Sequence, residues 1–156
     1  VVDVVEAAPE HRFRLRVYFE DTDAQGVVYH ANYLNFAERA RTEFLRSVGL
    51  CQEALRRRDG LGFAVTRCTI EYRAPARLDD LLEVRTALGR ISGARVHAVQ
   101  SVHACRDGTV QEPWLVRLDV HLACVNRSGR PVRLPGRMID AFAVVAADRD
   151  RGEMEG

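Results

Sequence analysis

The segment "HRFRLRVYF" (11–19) alternates, with Phe13, Leu15, Val17 and Phe19 on one side and Arg12, Arg14, Arg16 and Tyr18 on the other. A period of two is that of a strand with one face buried. Acids and a glycine at 20–26 break the pattern. From Asn32 the period lengthens. Tyr33, Ala37, Ala40, Phe44 and Val48 recur at three- and four-residue intervals, widened by Leu34 and Leu45, with Glu38, Arg39, Arg41, Glu43 and Arg46 between them. This predicts an amphipathic helix of about 17 residues, roughly 25 Å long. Gly49 supplies its stop, Asn32 or the turn before it the N-cap, and Arg39 and Glu43 an i,i+4 ion pair. "CQEALRRRDG" adds a short second helix ending near Gly60.

Beyond Gly60 the chain reads as strands. "GFAVTRCTIEYRAP" (62–75) alternates up to Pro75, and "DLLEVRTALGRI" (80–91), "ARVHAVQSVHAC" (94–105) and "PWLVRLDVHLACVN" (113–126) follow through "SG" and "DG" links that favour hairpins. "SGRPVRLPG" (128–136) is a turn and an extended exit, and "RMIDAFAVVA" closes with a short helix. The expected organisation is a loose arm over 1–10, one domain over 11–146 and a charged tail over 147–156. A single helix cannot bury the faces of a five-stranded antiparallel sheet unless the sheet curls round it, and one face still needs a cover. That predicts an α+β domain that dimerises.

A chain of 156 residues with 47% apolar content supports one real core. The net charge of +1 argues against a general polyanion-binding surface, so no nucleic-acid partner is expected. There is no lysine, and all 23 basic residues are arginine. A GC-rich genome explains such a bias, but Schiff-base chemistry and the P-loop lysine are excluded all the same. Arginine is left as the lasting cation for any phosphate-bearing ligand. Cys51, Cys68, Cys105 and Cys124 form no C-x-x-C pair and read as free buried thiols of a reducing compartment. The longest apolar run, "AFAVVAA", is far short of a membrane span, and "VVDVVEAAPEH" lacks the basic start and apolar centre of a signal peptide. The expected location is the cytoplasm.

"EDTDAQGVVYHANYLNF" (20–36) holds the candidate chemistry. Three readings of its acids stand open. Asp21, or Asp23 with Thr22, caps a turn; a D-x-D pair with His30 binds metal; or Asp23 faces a carbonyl polarised by the unpaired N–H groups of the helix start, beside the turn at Gly26. The last amounts to acyl hydrolysis without serine, cysteine or metal. Glu38 lies mid-helix and is a candidate catalytic acid or substrate contact, though a solvated or interface position is the more ordinary reading. Ser92, Ser101 and Ser128 lack a G-x-S-x-G context, and His97, His103 and His121 fall on strands where exposed or interface positions are expected. Arg130, Arg133 and Arg137 cluster in "GRPVRLPGR" and read either as a phosphate site, across a subunit boundary, or as a solvated basic turn.

"RVYFEDTDAQGVVYHANYLNFAERARTEFL" (16–45) resembles the signature of the hotdog-fold 4-hydroxybenzoyl-CoA thioesterase family. It is most similar to the YbgC-like branch of short-chain acyl-CoA thioesterases associated with the Tol–Pal envelope machinery. The likeness continues through "VTRCTIEYRAPARLDDLLEVRT" (65–86) and covers residues 12 to about 142. It implies a five-stranded antiparallel sheet wrapped around one long central helix, in homodimers that pair into tetramers, with sites at the subunit boundary. It implies an acyl-CoA substrate and no metal or organic cofactor. Asp23 matches the catalytic carboxylate, as general base or nucleophile, and His30 the helix-entrance residue whose N–H polarises the thioester carbonyl. Gly26 and Val27 match the turn shaping that mouth, and Phe19 and Tyr29 flank it as substrate contacts. Phe19 departs from the family, where a tyrosine is common. An acyl carrier protein as the acyl donor, and a non-catalytic acyl-binding module, are the alternative readings.

Overall fold

The computed structural model describes residues 10–143; the expected arm before residue 10, the last three residues of the expected domain and the tail over 147–156 lie outside the described residues. Strands β1 (His11–Arg16), β2 (Gly62–Tyr72), β3 (Leu81–Ser92), β4 (Arg95–Arg106) and β6 (Val116–Val125) are those the alternation predicts. They pair antiparallel in the order β1–β3–β4–β6–β2. A two-residue strand, β5 (Thr109–Val110), folds back on the end of β4 and is an addition to the five expected.

The alternation sorts the two faces of this sheet. Val116, Leu118, Val120 and Leu122 on β6 and Val96, Ala98 and Val102 on β4 are buried, while Arg117, Asp119 and His121 face the other way. Helix α1 (Asn32–Ser47) packs its apolar stripe against β1 and β3. Its buried residues are Tyr33, Phe36, Ala37, Ala40, Phe44 and Leu45. Phe36, not Leu34, completes the stripe: Leu34 lies about 100° round from Tyr33 and is exposed. The helix ends as predicted, with Gly49 at φ 82°. There the Leu50 N–H donates to the Leu45 carbonyl at 2.8 Å and the Gly49 N–H to that of Arg46 at 3.1 Å.

Two local expectations are corrected, and the N-cap of α1 falls to the turn before Asn32, the second of its two expected places. No side chain caps the start of α1; Ala31 holds the N-cap position, and the Asn32 amide instead donates to the Asp21 carbonyl at 2.9 Å. Glu43 pairs with Arg46, one helical turn on, and the Arg39 guanidinium lies 6.0 Å over the Phe36 ring. Phe19 does not continue β1: the strand ends at Arg16, a 3-10 turn covers Phe19–Asp21, and Phe19 is 81% exposed.

Between α1 and the sheet lies a polar group that the sequence pattern does not announce. Gln100 is fully buried, and its amide donates to the Ala37 carbonyl and to Thr86 Oγ1, both at 2.9 Å. Its oxygen accepts from Arg41 at 2.9 Å, so every polar atom of the side chain has a partner. A helix over 136–143 closes this end of the core through Met138 and Phe142, whose ring stacks on Phe44. The four cysteines are free thiols, as expected, but only Cys105 and Cys124 are buried; Cys68 is partly so and Cys51 is exposed.

Candidate active site

The segment from Val17 to Asn32 is folded by its own acids and glycine. The Val17 N–H donates to the Asp80 carbonyl at 2.9 Å, which fixes the exit of β1. Asp21 Oδ2 accepts from the Tyr18 N–H at 2.8 Å, and the Asp21 carbonyl accepts from the Tyr29 N–H at 2.9 Å. With 8% exposure and these bonds, Asp21 is the acid that closes the turn. Thr22 and Val28 then form an antiparallel bridge, and the Asp23 N–H donates to Val27 at 2.9 Å. The hairpin between them turns at Gly26, whose φ of 77° suits a residue without a Cβ.

Asp23, at the tip of this hairpin, is half-buried. Its Oδ1 accepts from the Gln25 N–H at 2.8 Å, and among the described residues its Oδ2 accepts from none. Tyr29 and His30 leave the hairpin on the side of α1, both exposed and with rings 4.7 Å apart. Among the described residues neither the His30 nor the Ala31 N–H donates to a protein acceptor. The Ala31 N–H is an orphan donor of the helix start, at the positive end of its dipole, and the His30 N–H lies one residue before it.

Two tyrosines hold this mouth in place. The Tyr72 hydroxyl donates to the His30 carbonyl at 2.8 Å, and Tyr33 Oη accepts from the Ala76 N–H at 3.0 Å. Burial pushes both phenols above their ordinary pKa, in Tyr33 against the pull of the Ala76 N–H, so both stay protonated at neutral pH. The Val28 N–H donates to the Ala76 carbonyl at 2.9 Å, and Val27 bridges to Arg77. The 72–77 segment is thus the second wall of the site. Sequence reasoning passed over it because Tyr72 stands 42 residues from His30.

Asp23, Gly26, Val27, Tyr29 and His30 are therefore gathered in one hairpin and helix entrance, with Phe19 at its foot. Glu38 is not there. It lies two turns along α1, about 12 Å from His30 by helical rise, and faces Arg41 across the rim of a separate cavity. That cavity of about 90 Å³ is lined by Phe44, Phe63, Leu88 and Phe142. Arg130, Arg133 and Arg137 are not there either. They follow the end of β6 where Val125 pairs with Gly62, whereas Tyr72 pairs with Val116 at the other end. The ten residues of β6 put about 30 Å between the two ends. Within one chain these arginines do not reach the mouth, and Arg137 is already bound to Asp59 at 2.6 Å. Arg73 and Arg77 do border it, exposed, with guanidinium groups that pair with none of the described residues. His103, expected at an exposed or interface position, is buried, its ring nitrogens meeting Ser101 Oγ at 2.9 Å and the Gln111 carbonyl at 3.0 Å.

Residues 17–143 match the thioesterase-like superfamily. The chain is 42% identical to the acyl-CoA thioesterase YbgC of Haemophilus influenzae over 131 residues, 83% of this chain and 92% of that protein. Among solved structures, a probable thioesterase of Bartonella henselae superposes with a TM-score of 0.72 at 40% identity, covering 81% of this chain and 99% of that one. A 4-hydroxybenzoyl-CoA thioesterase, an aspartate-to-asparagine variant in complex with 4-hydroxybenzoyl-CoA, superposes with a TM-score of 0.80 at 21% identity, over 86% of this chain and 99% of that one. The last likeness is one of fold.

Proposed function

This chain belongs to the thioesterase-like superfamily, with the hotdog fold, and from that premise we propose that it hydrolyses an acyl-CoA to the free acid and coenzyme A. The thioester carbonyl oxygen sits against the His30 N–H, with the Ala31 N–H beside it. The free oxygen of Asp23 takes a proton from water, whose oxygen attacks the carbonyl carbon. Negative charge collects on the carbonyl oxygen, the C–S bond breaks, and the departing thiolate accepts the proton that Asp23 took from the water, which restores the carboxylate. A donor aimed at such an oxyanion is worth about 2.7–4 kcal/mol in the transition state, and a positioned general base about 10²–10⁴-fold in rate. Direct attack by Asp23, through a mixed anhydride, is the variant of the same chemistry.

The observation that carries this reading is a carboxylate oxygen and two backbone N–H groups without partners among the described residues, on either side of the Thr22–Val28 bridge. Asp21, with its bonds satisfied inside the turn, is a structural acid. The phosphates of coenzyme A are assigned to Arg73 and Arg77, with Arg133 reaching the site only from a neighbouring subunit. A homodimer, and a pair of dimers, belong to the same proposal. Its support is that β2, eleven residues long, pairs with β6 on one edge and with no other strand of the described residues. Among the described residues no helix is long and apolar enough to cross a membrane.

The test is release of free thiol across a panel of short, long and aromatic acyl-CoAs, with an acyl carrier protein carrying the best acyl group alongside. Turnover on at least one short or aromatic acyl-CoA is expected. Turnover only on the carrier protein would move the reaction to that substrate. Tight binding with no hydrolysis anywhere would make the domain an acyl-binding module.

A further inference from the structure

We propose that the sheet face turned away from α1 carries a site for a divalent transition-metal ion of the zinc, nickel or copper type, held by His97, Asp119 and His121. The argument starts from register. Asp119 and His121 stand two apart on β6 and so share a face, and His97 on β4 is the direct cross-strand partner of His121. Their neighbours Val96, Ala98, Val120 and Leu122 are buried on the helix side, which leaves the three polar side chains together on the outer face.

The donor atoms converge. His97 Nε2 lies 2.7 Å and His121 Nε2 3.3 Å from the same oxygen, Asp119 Oδ1. One ligand atom from each residue falls within 4.8 Å of the others, which no other three His, Cys, Asp or Glu residues among those described achieve. The imidazoles are stacked 4.7 Å apart at 20°, both turned toward Asp119. A four-coordinate ion with bonds of about 2.0–2.2 Å needs ligand atoms roughly 3.3 Å apart. Small side-chain rotations give that spacing, and the ion takes the place of the proton shared by His97 and Asp119. Two nitrogens and one carboxylate oxygen suit a borderline ion and leave a fourth position for water.

A second, independent feature points the same way. A Cβ on Gly89 of β3 would lie 2.4 Å from His97 Nδ1. Glycine inside a strand is unfavourable unless something must approach closely, and here it admits the imidazole ring. Four neighbours oppose a cation: Arg67, Arg90, Arg95 and Arg117 line the same surface, and Arg67 on β2 is the cross-strand partner of His121. Together they keep the affinity below that of a structural zinc site. The site uses neither Asp23 nor the helix entrance, so it stands or falls apart from the hydrolysis.

The test is titration calorimetry with equilibrium dialysis of the chelator-treated full chain against zinc and nickel chlorides. Circular dichroism checks the fold of each variant. The proposal expects saturable binding of one ion per chain. His97→Ala and His121→Ala should each weaken it by at least the roughly 10–100-fold that even an outer-shell partner is worth. Gly89→Ala, which removes no ligand, should also weaken it by displacing the His97 ring, and Arg67→Ala should tighten it. Cys51→Ser should change nothing, which separates this site from an exposed thiol. Absence of saturable binding, or equal binding by wild type and both histidine variants, overturns the proposal.

Discussion

The Tyr72 hydroxyl donates to the His30 carbonyl at 2.8 Å, tying the last residue of β2 to the turn just before α1. The peptide on the other side of His30 carries the N–H assigned to the oxyanion, so this bond sets where that donor points. Tyr72→Phe keeps the ring, which meets Tyr33 at 5.8 Å and His30 at 6.3 Å, and removes only the bond. The loss of about 1 kcal/mol should appear as a roughly fivefold lower kcat with KM little changed. A change confined to KM would mean that Tyr72 contacts substrate instead.

The two arginine groups separate cleanly by kinetics. Arg73→Ala and Arg77→Ala should each raise KM for acyl-CoA by up to about fivefold, the range of an exposed ion pair. KM for the matching acyl-pantetheine, which lacks the nucleotide phosphates, should not move. Arg137→Ala should leave both unchanged, because its partner is Asp59. A larger effect of Arg133→Ala than of Arg77→Ala would place the phosphates across a subunit boundary.

Gln100 joins α1 to the sheet through three polar partners, and an apolar substitute orphans all of them. Gln100→Leu leaves the Ala37 carbonyl, Thr86 and the Arg41 guanidinium to find new ones. The cost should be about 2–4 kcal/mol in urea unfolding. A loss under about 0.5 kcal/mol would show that water or a shifted Arg41 replaces the network.

Cys51 differs from its three companions in a way that pH should expose. Backbone N–H groups of Ala54 and Glu53 hold its thiol below the ordinary pKa, and it is exposed. Burial pushes Cys68, Cys105 and Cys124 up. The thiolate is the nucleophile, so alkylation of Cys51 should rise with pH and level off with a midpoint below that of an ordinary thiol, well before the others react. Peptide mapping after timed iodoacetamide pulses reads this directly. A Cys51 midpoint at or above that of a free thiol would contradict it.

Much of the fold was legible because strand and helix periods differ, and the break at 20–26 is sharp. What periodicity could not settle was the choice between apolar neighbours: Leu34 and Phe36 are both good helix-stripe residues, and packing against β1 and β3 selects Phe36. The DTD motif located the candidate site, but not which acid folds the turn. Only the bond from the Tyr18 N–H to Asp21 separates that role from Asp23. Tyr72, Arg77 and the His97–Asp119–His121 cluster were out of reach, since each depends on strand register rather than on spacing along the chain. The arginines at 130–137 illustrate the reverse, a cluster in sequence that the length of β6 carries away from the mouth.

The central claim is that the Asp23 carboxylate, and not Asp21 or Glu38, moves the proton of the attacking water. Single-turnover hydrolysis of the best acyl-CoA by wild type and Asp23→Asn, with substrate affinity measured in parallel, tests it most directly. The account predicts a fall of about 10²–10⁴-fold in the chemical step with affinity retained. An Asp23→Asn enzyme that turns over at the wild-type rate would contradict it.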